Sequence, residues 1–252
     1  MLVEGHFYRL PIQHPEYRYP ASKNPYWLKL QEFRNLVFSD HETELHAGDW
    51  RTQFQNFEAQ THSNLPEVHV EIGCNAGHVI VEWATDRPDC LFIGIDWKFK
   101  SIFRAAQKAS TRHLKNLIFF RAHAERLESM FGPGEIDSLS LFFPDPWPKK
   151  KQWKNRFIQG PHLEQISRLL KPDGTFHIKT DHPEYFEWIL EIVQAHAHLF
   201  EITELSRNLH ADHPAPDLLQ IPEVTLFEKL FIKKRLPIHS LKLKVVSLKS
   251  CL

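Results

Sequence analysis

The segment Phe143-Pro144-Asp145-Pro146-Trp147-Pro148 runs directly into Lys149, Lys150 and Lys151, and it gathers the residue types best suited to chemistry. One carboxylate and one indole each stand between two prolines. Proline fixes its own φ and drives the residue before it toward extended backbone, so the loop is predicted to be stiff and extended at Asp145 and Trp147. A loop that is rigid before any ligand arrives is what positioning chemistry requires. The plainer alternative is a Pro-rich surface turn with a structural Asp.

A second constellation lies upstream, where Glu71-Ile-Gly73-Cys-Asn75-Ala-Gly77 closes an apolar run. Glycine permits a tight turn and close approach of a ligand to backbone. The spacing is not the G-x-G-x-x-G that seats a pyrophosphate on a helix N-terminus. It also places an acid, Glu71, on the strand itself. A carboxylate there is poor company for phosphate but suits the cationic sulfonium and amino group of S-adenosylmethionine. About twenty residues later Ile-Gly94-Ile-Asp96 ends a second apolar run, where a carboxylate can accept both hydroxyls of a ribose. Each feature also has a structural reading: Glu71 as a satisfied strand residue, Asp96 as the cap of the next helix.

The elements that must position these residues alternate regularly from Glu67 onward. Strands are predicted at about 68–73, 90–95, 117–121, 138–143 and 174–179, and helices at about 77–85, 98–112, 124–131, 157–170 and 183–197. Such alternation implies parallel pairing through right-handed crossovers, hence an α/β, doubly wound, Rossmann-like sheet. Strands at Phe200–Leu205 and Ile238–Leu248, one of them antiparallel, complete a mostly parallel sheet of seven strands. A His/Pro loop at His210–Pro216 and a helix near Thr225–Lys234 separate them. Asn24-Pro25 marks the start of a helix running to about Val37, and 39–66 carries little signal. The expected division is an irregular arm, 1–25, and one domain, 26–252. In such a sheet ligands sit at the carboxyl ends of the strands, where both constellations fall.

FPDPWPKK, with EIG-x-x-x-G upstream, HIKTD at His177–Asp181 and T-x-F-E at Thr225–Glu228, resembles the bacterial tRNA (guanine-N7-)-methyltransferase family across about residues 67–245. The resemblance implies a class I methyltransferase fold that transfers a methyl group from S-adenosylmethionine to N7 of a tRNA guanine, in the variable loop. It implies cofactor contacts at Glu71, Gly73, Gly77, Asp96, His123 and Asp145, with Asp145 also catalytic. Lys149, Asp181, Thr225 and Glu228 fall on substrate-contacting positions, and Lys150, Lys151, Lys154 and Arg156 on an RNA-contacting stretch. Asp181 and Glu228 are the candidates to accept the paired donors of guanine. The chain departs from the family pattern at Asn75 (usually glycine), His123 (usually Asp, accepting from the adenine amino group) and Asn155 (usually basic).

Composition bounds these readings. Thirty-one Lys and Arg balance 31 Asp and Glu, so attraction to a nucleic acid must be local. Lys149, Lys150, Lys151, Lys154 and Arg156 fall within eight residues with no acid among them, and Lys229–Leu252 holds seven basic residues and no acidic one. A solvated surface is the bland reading of either run. Three unpaired-looking cysteines, no signal pattern and no long apolar stretch suggest a cytoplasmic protein. The 17 histidines form no zinc-binding motif, and no metal is expected. Monomer and homodimer remain open. Two other functions stay in view: methylation of another nucleobase position, whose loop usually reads Asp/Asn-Pro-Pro-aromatic, and a non-catalytic tRNA-binding homologue.

Overall fold

The computed structural model describes residues 10–14, 16, 17, 19, 23–57, 66–214 and 224–246. Most of the expected arm, Cys251 and the end of the basic C-terminal run lie outside them. Strands β1 (Val37–Ser39), β2 (Val68–Ile72), β3 (Leu91–Ile95), β4 (Leu117–Arg121), β5 (Ile136–Phe142), β6 (Leu170–Thr180), β7 (Phe200–Ser206) and β8 (His239–Val245) form one sheet, ordered β1-β4-β3-β2-β5-β6-β8-β7. Pairing is parallel from β1 through β6 and antiparallel around β8. The helices are α1 (Pro25–Leu30), α2 (Trp50–Phe57), α3 (Ile80–Asp86), α4 (Phe99–Thr111), α5 (Leu127–Met130), α6 (Gly160–Leu169), α7 (Pro183–Ala195), α8 (Leu209–Asp212) and α9 (Leu226–Lys233).

The central strands are near-continuous apolar runs because both faces are covered. Val68, Val70, Ile72, Leu91, Ile93 and Ile95 face a core shared with α6 and α7. Phe92 and Phe119 face a second core with α3 and α4. Helix α4 supplies the latter with Ile102, Ala105, Ala106 and Ala109, spaced i, i+3, i+4 and i+7 so that they form one stripe. The sequence pattern thus sets which side of the sheet each residue occupies.

Among the described residues the sheet has eight strands, not the expected seven. The extra one is β1, which pairs with β4 at the edge (Val37 opposite Phe119). Asn24 caps α1 as anticipated, its side chain accepting from Tyr26 N at 3.0 Å. The helix, however, stops at Leu30, and one 3₁₀ turn (Gln31–Phe33) leads into the strand. Three residues carry too little periodicity to announce a strand; the exposed edge of β4 specifies it. The low-signal stretch likewise holds a Ser39/Glu42 capping box and α2, and the His/Pro loop begins with α8.

One transverse row of paired residues crosses the sheet: Phe120, Ile95, Ile72, Leu141, Ile178 and Leu241. Asp96 and Gly73 come one residue beyond it, His123 and Asp181 three beyond, and Asp145 four beyond. The chain order reverses between β2 and β5, so Glu71 and Asp145 flank the switch point, where open α/β sheets form their ligand crevice.

Candidate active site

The loop after β2 is a cradle of left-handed residues: Gly73 (φ 76°), Asn75 (φ 49°) and Gly77 (φ 67°). Asn75 holds the conformation that glycine would otherwise supply, which short polar side chains tolerate. Its N–H donates to Asp96 Oδ2 (3.1 Å), and Ser101 Oγ donates to its side-chain oxygen (3.1 Å). Gly77 is held to small size by Ala105, whose Cβ would lie 3.0 Å from an added Cβ. At Gly73 an added Cβ would meet nothing within 4 Å, so the backbone there faces open space. Asp96 also accepts from Lys98 N (2.7 Å). It therefore caps the next turn and braces the cradle, and the Trp97 N–H adds a third backbone donor to the same carboxylate.

Glu71 is buried at the end of β2, and Oε2 has no hydrogen-bond partner. Burial raises its pKa to about 8, against smaller opposing effects of Ile80 N–H and Lys179. A buried acceptor without a donor marks a place where a ligand cation or donor would be welcome. His123 follows β4 and stacks with two nearly parallel rings, Trp97 and Tyr19, each 5.9 Å away. Burial lowers its pKa, which favours the neutral imidazole.

The loop after β5 is stiff, but not in the expected way. Phe143 and Trp147, both before proline, have positive φ (55° and 44°) in place of extended backbone. Such angles cost energy in residues other than glycine and persist only where surroundings enforce them. The enforcement is visible. Phe143 N donates to Lys179 O (2.8 Å), and its ring stacks on Phe227 (5.7 Å, 21°). Pro146 O accepts from Arg156 Nε (2.9 Å). Asp145 itself is exposed at the tip.

Arg156 departs from its expected RNA-contacting role. It is 1% exposed, and its guanidinium lies against Trp153 (4.5 Å), Tyr185 (4.9 Å) and Trp188 (5.1 Å). Burial among rings lowers its pKa. Lys149, Lys150, Lys151 and Lys154 are exposed, the last three on a 3₁₀ turn, Lys150–Asn155.

Glu228 also departs from expectation. It is fully buried, and its carboxylate accepts from Lys179 Nζ (2.8 Å) and Thr225 N (2.9 Å), with His210 Nε2 at 3.4 Å. Thr225 Oγ1 accepts in return from Glu228 N, completing a capping box at α9. Burial alone would raise the Glu228 pKa; His210, Lys179 and the cap outweigh it and set it at about 2. Both residues thus serve the helix start, while Asp181 is half-buried just past the end of β6.

The structure brings Glu71, Gly73, Asp96, His123, Asp145 and Asp181 to one end of the sheet. Sequence reading overlooked Lys179, which joins β6 to α9 from within HIKTD, and Trp97, directly after Asp96. Among the described residues, metal-ligand types gather at Glu67, His69 and Cys90, within 4.8 Å of one another at the opposite end of the sheet. Arg87 adds positive charge beside His69 and Cys90 there.

Residues 66–241 match the profile of a family described as "Putative methyltransferase". The tRNA (guanine-N(7)-)-methyltransferase of Oceanobacillus iheyensis is 32% identical over 213 residues, covering 84% of this chain and 92% of the relative. That of Bdellovibrio bacteriovorus is 29% identical over 215 residues, 85% of this chain and 98% of the relative. A bifunctional glycosyltransferase/methyltransferase of Fusobacterium nucleatum is 31% identical over 215 residues, which make up 31% of that longer protein. Among solved structures, the 16S rRNA methyltransferase KamB superposes with a TM-score of 0.55 at 16% identity, over 78% of this chain and 94% of that one. Fold and strand-end site define a methyltransferase of the class I architecture. The chain belongs to the tRNA (guanine-N(7)-)-methyltransferase family.

Proposed function

We propose that this protein transfers the methyl group of S-adenosylmethionine to N7 of a guanine in tRNA, the variable-loop guanine by family resemblance, forming 7-methylguanosine. The observation that carries the reading is the pairing of two features across the switch point. On β2 and β3 stands a glycine cradle with carboxylates at Glu71 and Asp96; on β5 a braced loop presents Asp145 and leads into four exposed lysines.

The residues present fit the cofactor. Glu71 Oε2 is a buried acceptor without a donor, suited to an ammonium group. The open space over Gly73 admits a chain against the backbone. Asp96 offers a carboxylate to a ribose hydroxyl, and the neutral His123 imidazole can accept from an exocyclic amine. Gly77 keeps the cradle closed against α4. When bound, the cofactor supplies an electrophilic methyl group.

Guanine N7 carries a free lone pair, so its attack needs no deprotonation, and the ring gains positive charge as it reacts. The chain's task is alignment and charge compensation. Asp145, fixed on a braced loop, balances the developing charge. Asp181 accepts from the Watson–Crick edge of the base, since Glu228 is committed to Lys179 and α9. Lys149, Lys150, Lys151 and Lys154 hold phosphates.

Nucleoside analysis of tRNA after incubation with protein and cofactor tests the reading. The expected product is 7-methylguanosine, and Asp145→Asn should lower its rate roughly 100- to 1,000-fold, the scale of losing one group that stabilises transition-state charge. A different methylated nucleoside would assign the chemistry to another base position. No product from a chain that still binds cofactor and tRNA would leave a non-catalytic binding protein.

A further inference from the structure

Two buried arginines tie residues of the N-terminal segment to the end of β4. Arg126, 2% exposed, donates from Nη1 to Ile12 O (2.8 Å) and His14 O (3.1 Å) while pairing with Glu44 (2.6 Å), and its guanidinium faces the Tyr17 ring at 5.7 Å. Arg121 pairs with Asp40 (2.9 Å) and lies between the rings of Phe99 (3.9 Å) and Tyr19 (5.5 Å). Backbone carbonyls that satisfy a buried guanidinium are structural parts, because without them Nη1 of Arg126 would lose both its acceptors.

This anchoring delivers Tyr19 to His123. The two rings are 7° from parallel, and His123 N donates to Tyr19 Oη (3.3 Å). His123 also stacks with Trp97, at 14°. Centroid spacings of 5.9 Å are too small to admit another ring, since a sandwich needs about 7 Å at ordinary contact distance. The stack is therefore a support, and its Trp97 is 55% exposed beside Asp96. An aspartate at position 123 could not join it; the histidine and the aromatic arm belong together.

We propose that Tyr19 of the N-terminal segment belongs to the cofactor site as a positioning residue that holds His123, and through it Trp97, where the adenine of S-adenosylmethionine docks. The inference rests on the cofactor reading given above. It reaches beyond residues 66–241, the part of the chain the family profile matches.

Calorimetric titration of the full chain with S-adenosylhomocysteine tests it. Tyr19→Ala should raise Kd about ten-fold, and Tyr19→Phe, which keeps the ring, by less than about two-fold. In a His123→Asp background Tyr19→Ala should change Kd by less than about two-fold, because the ring it acts through is gone. Melting curves without ligand verify that each variant is folded. Unchanged binding by Tyr19→Ala, or an equal loss in both backgrounds, overturns the inference. No S-adenosylhomocysteine binding by the unsubstituted chain overturns the cofactor reading, and the inference with it.

Discussion

Glu71 and Glu228 are both buried carboxylates near Lys179, yet their proton affinities diverge. Glu228 has a lysine, a histidine and its own helix cap to stabilise the charge, and its pKa falls to about 2. Glu71 has mainly burial, and its pKa rises to about 8. In the cofactor-free protein the native state therefore holds a proton on Glu71 that the unfolded chain, titrating near 4.5, has released. The native state binds more protons across that interval, so this group's contribution to stability declines as pH rises from about 4.5 to 8. Melting temperatures of the cofactor-free protein should drop between pH 6 and pH 8 more steeply than those of Glu71→Gln. Parallel pH profiles for the two proteins would show that Glu71 does not titrate in this window. The strand-end placement of Glu71 and Asp96 was legible in sequence from apolar runs ending in an acid. The fate of Glu228 was not, because Lys179, which engages it, lies 49 residues away on another element.

At the scale of elements, the β5 loop shows what a local pattern omits. Its prolines announced stiffness, but positive φ at Phe143 and Trp147 depends on contacts from β6, α9 and the turn after the loop. Arg156 is the chief of these. It read as one more cation in a basic run because two of the three rings of its cage, Tyr185 and Trp188, come from α7, distant in sequence. The central strands, by contrast, were legible as short apolar runs bounded by polar residues, and the longer helices, such as α4, by their own period. Arg156→Lys keeps the charge but loses the planar group that stacks on three rings and bonds Pro146 O. It should destabilise the fold by about 1–3 kcal/mol. It should also lower kcat roughly 10- to 100-fold through a displaced Asp145. The affinity for tRNA and its salt dependence should stay unchanged. Weakened tRNA binding with normal kcat would instead return Arg156 to the RNA surface.

For the whole molecule, zero net charge sets the terms of encounter with a polyanion. Field from the entire chain cannot steer RNA, so attraction has to be concentrated where the reaction occurs. The fold achieves this by placing Lys149, Lys150, Lys151 and Lys154 directly after the loop that carries Asp145, with Arg156 withdrawn into the core. Four cations, not the five counted in sequence, then face solvent at the mouth of the switch-point crevice. Each phosphate they neutralise releases counterions, so log affinity should fall with log salt concentration by somewhat less than one unit per contact. Alanine at all four positions should weaken tRNA binding at low salt and flatten that slope by up to about 3 units. Binding of S-adenosylhomocysteine should be preserved, since the cofactor cradle is built on β2 and β3 and contains none of the four lysines. Should the slope stay as steep as in the unsubstituted chain, the phosphates are held elsewhere. The basic segment from Lys229 onward, whose Lys242 and Lys244 are already paired with Glu204 and Asp173, would then have to supply the contacts through its remaining cations.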